Sequence, residues 1–228
     1  MSYRSIERRL PGFLRRYLLY FESAIDDSLA SFSAELPPEV RVLDAGAGEC
    51  LHARYFTRQH YVGVDLAVGD ATWNYGKLSA IADLTALPFR DGCFDASINI
   101  VTLEHVREPA CALREIARTL APGGWLLLIV PHEWEVHQAP HDYYRYTRYG
   151  IAYLLDKAGF KDVNIQPVGG YFRLSSRRLL NGLQFFPGLW LYVAALFLAP
   201  LALILPWFDS LDRQRNFTLG YICLATKS

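Results

Sequence analysis

Three acids and two glycines hold the clearest chemistry in this sequence of 228 residues. Asp44 lies in VLDAGAGEC (42–50), Asp65 in VGVDLA (62–67) and Asp83 in ADLTALPF (82–89). Gly46 and Gly48 let a backbone turn tightly and come close to a ligand, where a side chain would intrude. A dinucleotide turn of the GxGxxG kind requires glycine at position 51, and this chain has Leu51. Asp44 beside the same turn would repel a diphosphate but suits a ligand carrying an ammonium group. Asp65, nineteen residues beyond Gly46, stands where a carboxylate can accept both hydroxyls of a ribose. Asp83 can accept from an exocyclic amine. Together they describe an adenosine ligand with a cationic tail and no phosphate.

The histidines form a second set. His105 lies in LEHV (103–106), and His132, His137 and His141 lie in PHEWEVHQAPHDYYRYTRYG (131–150). His137 and His141 are the candidate general bases, since imidazole titrates near neutral pH, and His105 is a further candidate for substrate contact. The imidazoles and carboxylates of HEWEVH and HD match no zinc signature, so no metal is expected. Cys50, Cys93, Cys111 and Cys223 are scattered without a CxxC pair and read as reduced thiols.

These residues must be positioned by something, and apolar runs alternating with helical patterns supply it. VRVLDAG (40–46), YVGVDLA (61–67), LSAIADL (78–84), FDASINIV (94–101), WLLLIVP (125–131) and VNIQPV (163–168) read as six strands. PACALREIARTLAPGG (109–124) and TRYGIAYLLDKAGF (147–160) read as helices that end at glycine. The pattern is α/β, a doubly wound parallel sheet covered on both faces. Ligands of such sheets bind beyond the carboxyl ends of the strands, where Asp44, Asp65 and Asp83 fall.

The ordered strings VLDAGAGEC, VGVDLA and ADLTALPFRDGCFDASINIVTLEHVREPACALREIARTLAPGGWLLLIVP resemble the class I S-adenosylmethionine-dependent methyltransferases. The likeness covers residues 40–160 and is nearest the small-molecule branch that includes the quinone-biosynthesis methyltransferases. It implies a Rossmann-like, seven-stranded sheet with an antiparallel last strand, which NFTLGYICLATK (216–227) resembles. It also implies S-adenosyl-L-methionine as cofactor. Asp44, Gly46 and Gly48 then shape the methionine pocket, Asp65 holds the ribose, Asp83 and the Leu84 backbone meet the adenine, and Val101 lines the sulfonium. Cys50 stands where that family's GxGxG has its third glycine.

Net charge is zero, and no NPPY-like string follows the fourth strand, so a nucleic-acid acceptor is not expected. From Leu179 to Phe208 no side chain is charged, long enough to span a bilayer. Pro200 divides the run, and two legs flanking it read as a hairpin dipping into one leaflet. Arg173, Arg177 and Arg178 before it, and the basic N-terminal segment with Arg4, Arg8, Arg9, Arg15 and Arg16, are expected to meet anionic headgroups. Because Arg15 and Arg16 interrupt its apolar residues, that segment does not read as a secretory leader. The domains expected are an N-terminal helical extension (1–36), a methyltransferase core (37–170), an apolar helical insert (171–215) and a last core strand (216–228). The function expected is methyl transfer to a small, lipophilic acceptor at the cytoplasmic face of the membrane. The alternatives are a soluble metabolite as acceptor with the insert as homodimer interface, the insert as a lid over an apolar acceptor, and a non-catalytic adenosylmethionine-binding scaffold.

Overall fold

The computed structural model describes residues 12–70 and 72–228. Arg4, Arg8 and Arg9, with the side chain of Arg15, lie outside the described part. The chain divides into two units: residues 27–166 with 221–228, and residues 12–26 with 167–220 of the described part.

The larger unit carries the sheet. Its strands are β1 (Arg41–Ala45), β2 (His60–Asp65), β3 (Ala80–Ile81), β4 (Phe94–Ile100), β5 (Leu120–Pro131), β6 (Phe160–Val168) and β7 (Gly220–Lys227). They lie in the order β3-β2-β1-β4-β5-β7-β6. Pairs β1–β2, β1–β4, β2–β3 and β4–β5 are parallel. At the far edge the Leu219 N–H donates to Val168 O and the Ser228 N–H to Gly159 O, so β7 runs antiparallel to β6. Consecutive residues Leu126, Leu127, Leu128, Ile129 and Val130 are all buried, which requires cover on both faces of the sheet.

Helix α3 (Pro109–Thr119) starts with proline at its first position and buries Ala112, Leu113 and Ile116 in the core. Helix α4 (Arg148–Lys157) is capped by Thr147, whose hydroxyl oxygen accepts from the Gly150 N–H at 3.1 Å, and buries Ile151 and Leu155. The expected strand 78–84 shrinks to Ala80–Ile81, because Asp83 closes a turn onto Thr85 and takes the chain out of the ladder.

The smaller unit holds α5 (Tyr171–Gly182) and α6 (Leu189–Ile204), followed by a 3-10 segment, Leu205–Leu211. Helices α1 (Gly12–Leu18) and α2 (Tyr20–Glu35) precede the sheet, and α2 passes from the smaller unit into the larger. Two expectations fail in the smaller unit. The hairpin broken at Pro200 does not form: α6 runs unbroken through Pro200. A proline ring removes one backbone bond and can bend a helix without ending it. Nor do the arginines all face outward. Arg177 is buried and forms a two-pronged pair with Glu22 at 2.8 and 2.9 Å. Arg173 stacks its guanidinium 3.6 Å from the Tyr20 ring and lies 3.5 Å from the Asp209 carboxylate. Buried charges demand paired partners, and these two arginines have them.

Candidate functional site

Asp44, one residue before the end of β1, has no exposed surface. Its Oδ2 accepts from the Tyr61 hydroxyl at 2.5 Å and lies 3.0 Å from His52 Nδ1, while Oδ1 is buried without a hydrogen-bond partner. Burial, then the adjoining carboxylate, pushes the Tyr61 hydroxyl up, so it remains a donor at any ordinary pH. A buried carboxylate oxygen left unpaired is costly, and an ammonium group is the partner that would satisfy it.

The glycine turn follows. Gly46 has φ +95°, and a Cβ there would lie 2.1 Å from Thr102 Cγ2, so no other residue fits. The close approach of the β1 and β4 loops causes this: Thr102 Oγ1 sits 3.2 Å from Gly46 O, and Asn99 Nδ2 donates to Ala45 O at 2.6 Å. The Gly48 N–H donates to Asp65 Oδ2 at 3.0 Å, and the Ala67 N–H to Asp65 Oδ1 at 2.7 Å. Each Asp65 oxygen thus has one backbone donor that fixes its direction and a remaining lone pair for a hydroxyl. Cys50 is buried, with left-handed backbone at φ 57°, and its thiol packs against Gly63. The left-handed backbone explains why a glycine would serve there.

Asp83 lies two residues beyond β3, where Oδ1 accepts from the Thr85 N–H and hydroxyl, each at 2.8 Å, and Leu84 beside it is buried. Val101, just past β4, has φ 49°, a left-handed conformation that a β-branched residue rarely adopts. Its N–H donates to Ile129 O at 2.8 Å, so the ladder to β5 holds the strained residue in place.

Beyond β4 and β5 the histidines separate. His105 and His137 meet edge to face with ring centroids 4.7 Å apart. His141 turns away: its Nδ1 lies 3.2 Å from the Tyr143 hydroxyl, and its carbonyl accepts from His105 Nδ1 at 2.5 Å. His132 Nδ1 lies 2.8 Å from Tyr146 O, which ties that ring to the backbone. Glu104, absent from the residues singled out in the sequence, is fully buried between the pair. Burial pushes its carboxyl up to about 8 and holds His105 below the usual histidine range. Arg145 clamps this loop by donating to the carbonyls of Trp134, Glu135 and Tyr144. It also grips Asp142, whose carboxyl it holds down at about 2. Glu104 had a visible signal, an acid between apolar Leu103 and the His105–Val106 pair. Tyr61 and His52 had none, because their approach to Asp44 depends on strand register.

Residues 43–128, from β1 into β5, match the family described as "Methyltransferase domain". Among curated relatives, the human "Probable tRNA methyltransferase 9B" is 32% identical over 112 residues, 47% of this chain and 24% of that protein. The "Demethylmenaquinone methyltransferase" of Mycobacterium bovis is 38% identical over 95 residues, 40% of this chain and 41% of that protein. The chain thus spans about a quarter to two fifths of these relatives. Solved structures share the fold. The [4+2]-cyclase SpnF covers 88% of this chain and 80% of its own, with TM-score 0.55 and 24% identity. A Haemonchus contortus phosphoethanolamine N-methyltransferase in complex with S-adenosyl-L-methionine covers 88% of this chain and 51% of its own, with TM-score 0.56 and 19% identity. The fold is therefore the Rossmann-like methyltransferase fold with its antiparallel last strand.

Proposed function

We propose that this chain is an S-adenosylmethionine-dependent methyltransferase acting on a small, lipophilic acceptor at the cytoplasmic face of a membrane. The observation that carries the cofactor is Asp44, buried with one carboxylate oxygen unpaired, beside a glycine turn that admits no Cβ. Asp44 would hold the ammonium group, Asp65 the ribose hydroxyls and the Asp83–Leu84 turn the adenine. When bound, S-adenosylmethionine supplies an electrophilic methyl group. The residues around it bind, orient and exclude water, which is most of what an in-line displacement requires. The loop after β5, which carries His137, would meet the acceptor.

The membrane part rests on the smaller unit. Leu189–Leu211 spans 23 residues, strongly apolar over an 18-residue window, and little of it is buried. Leu189, Trp190, Tyr192, Leu196, Phe197 and Trp207 are all exposed, a patch that water does not tolerate on a soluble monomer. The run is long enough to cross a bilayer, yet it connects β6 to β7, neighbours in one sheet. Lying along the interface satisfies both facts.

A second reading, a tRNA acceptor, is favoured by the 32% identity to the human relative of that name. The chain's zero net charge gives it no general attraction to phosphate.

Calorimetric titration with S-adenosylmethionine tests the core of the proposal. Wild-type protein should bind, and Asp65→Ala should weaken binding about a hundredfold, since it removes a charged acceptor and unpins the Gly48 turn. A folded wild-type chain that does not bind sinks the enzyme reading. Flotation with phosphatidylglycerol-containing vesicles tests the membrane part: wild type should float, and Leu196→Asp with Phe197→Asp should not. Recovery of wild type as a detergent-free soluble monomer would overturn it. Methyl transfer to tRNA but not to lipid extract would select the second reading.

A further inference from the structure

Three side chains beyond β4 and β5 point their donor atoms at one spot. Glu104 Oε1 lies 3.7 Å from His105 Nε2 and 3.8 Å from His137 Nε2. The three ligand atoms all lie within 4.8 Å of one another. None of these pairs is a hydrogen bond, since each exceeds the distance at which one forms. Both Glu104 oxygens and His105 Nε2 are buried and have no hydrogen-bond partner. Several uncompensated polar atoms facing one another in a buried site carry a high cost, and a native structure rarely leaves such a cluster unsatisfied.

The outer nitrogens are already engaged. His105 Nδ1 lies 2.5 Å from His141 O, and His137 Nδ1 lies 3.1 Å from Glu135 O and 3.5 Å from Asp142 Oδ2. Arg145 Nη2 stands 3.4 Å from the same His137 nitrogen while it grips Asp142. At His105 a proton on Nδ1, donated to the His141 carbonyl, fixes the tautomer that leaves Nε2 as a free lone pair. His137 Nδ1 stands between the Glu135 carbonyl and the Arg145 donor, and its Nε2 faces Glu104. Metal-ligating histidines are oriented by this arrangement. Around an ion with ligands at about 2.1 Å, tetrahedral neighbours are about 3.4 Å apart, within a few tenths of the two Glu104–histidine spacings. The two histidine nitrogens, within 4.8 Å of each other, would draw together on binding.

We propose that Glu104, His105 and His137 bind a divalent transition-metal cation of the zinc class. Two imidazoles and one carboxylate favour such an ion over magnesium or calcium, which take oxygen ligands. Three protein ligands leave a fourth position open for an oxygen ligand, as in catalytic rather than structural zinc sites. The ligands come from two loops of one unit, the turn Leu103–His105 and the loop after β5, so binding also pins those loops together.

The test uses cobalt(II) as the probe on the full chain after dialysis against a chelator. Wild type should take up one equivalent, with the visible bands of low-coordinate cobalt, and zinc(II) should displace it. Glu104→Gln, which keeps the shape of the buried group, and His137→Ala, on a partly exposed loop, should each weaken cobalt binding about a hundredfold. Both should retain the wild-type circular dichroism spectrum and S-adenosylmethionine affinity, which separates this result from the fate of the cofactor reading. Absence of cobalt uptake by wild type, or bands that persist in both variants, would overturn the site.

Discussion

The loops after β1 and β2 and the loops after β4 and β5 lie at the same edge of one sheet, yet they are built on opposite plans. In the first set the backbone holds the acids: Asp65 takes an N–H on each oxygen, and Asp44 takes the Tyr61 hydroxyl. Among the acid oxygens there, Oδ1 of Asp44 is buried without a partner, as are Trp73 Nε1 and Tyr75 Oη in the loop after β2. In the second set Glu104 and His105 keep three buried polar atoms unpaired, and the loop's shape depends on one arginine. The acids of the first set are oriented by donors within the protein, whereas Glu104 in the second has none. On the proposed assignment the first set holds the cofactor and the second meets the acceptor.

The largest effect should come from Gly46→Ala. The added Cβ meets Thr102 in a left-handed backbone, so stability should fall by about 3 kcal/mol in urea unfolding. The same change at Gly182, which has open space around it, should cost nothing of that kind. Equal losses at the two positions would break the view that the first set of loops is rigidly specified.

His137→Ala separates the halves. Turnover should fall about a hundredfold if the loop after β5 handles the acceptor. S-adenosylmethionine affinity should stay within about twofold, because no contact of His137 reaches Asp44, Asp65 or Asp83 among the described residues. A parallel loss of cofactor affinity would mean the two halves are coupled.

A smaller effect is expected at Tyr61→Phe. Asp44 loses one hydrogen bond but keeps His52 at 3.0 Å, so S-adenosylmethionine binding should weaken about fivefold, near 1 kcal/mol. Unchanged affinity would show that Asp44 is oriented by β1 alone.

The two plans also explain what could be read in the sequence. Asp44, Gly46, Gly48 and Asp65 sit at the ends of adjacent parallel strands, so spacing along the chain becomes spacing in space. Glu104 and His137 are 33 residues apart and meet only because β4 and β5 are neighbours. Side-chain direction at a loop carries no periodic signal, which is why His141 looked equal to His137 but turns to Tyr143 instead. In the smaller unit composition was a good guide to the apolar run and a poor guide to its shape. Pro200 suggested a break where the helix continues, and Arg177 looked like a headgroup contact where it pairs with Glu22.

Cys50→Gly should have the smallest effect, and the reason is a cancellation. A cysteine at φ 57° costs on the order of 1 kcal/mol that glycine avoids. Glycine in turn gives up a buried thiol and adds chain freedom to the unfolded state, together worth about the same. Stability should therefore move by less than about 1 kcal/mol in either direction. The thiol packs toward Gly63, so S-adenosylmethionine affinity should stay within about twofold. A large gain in affinity would show that the side chain crowds the cofactor, and the first set of loops would be less finished than the strand-end plan requires.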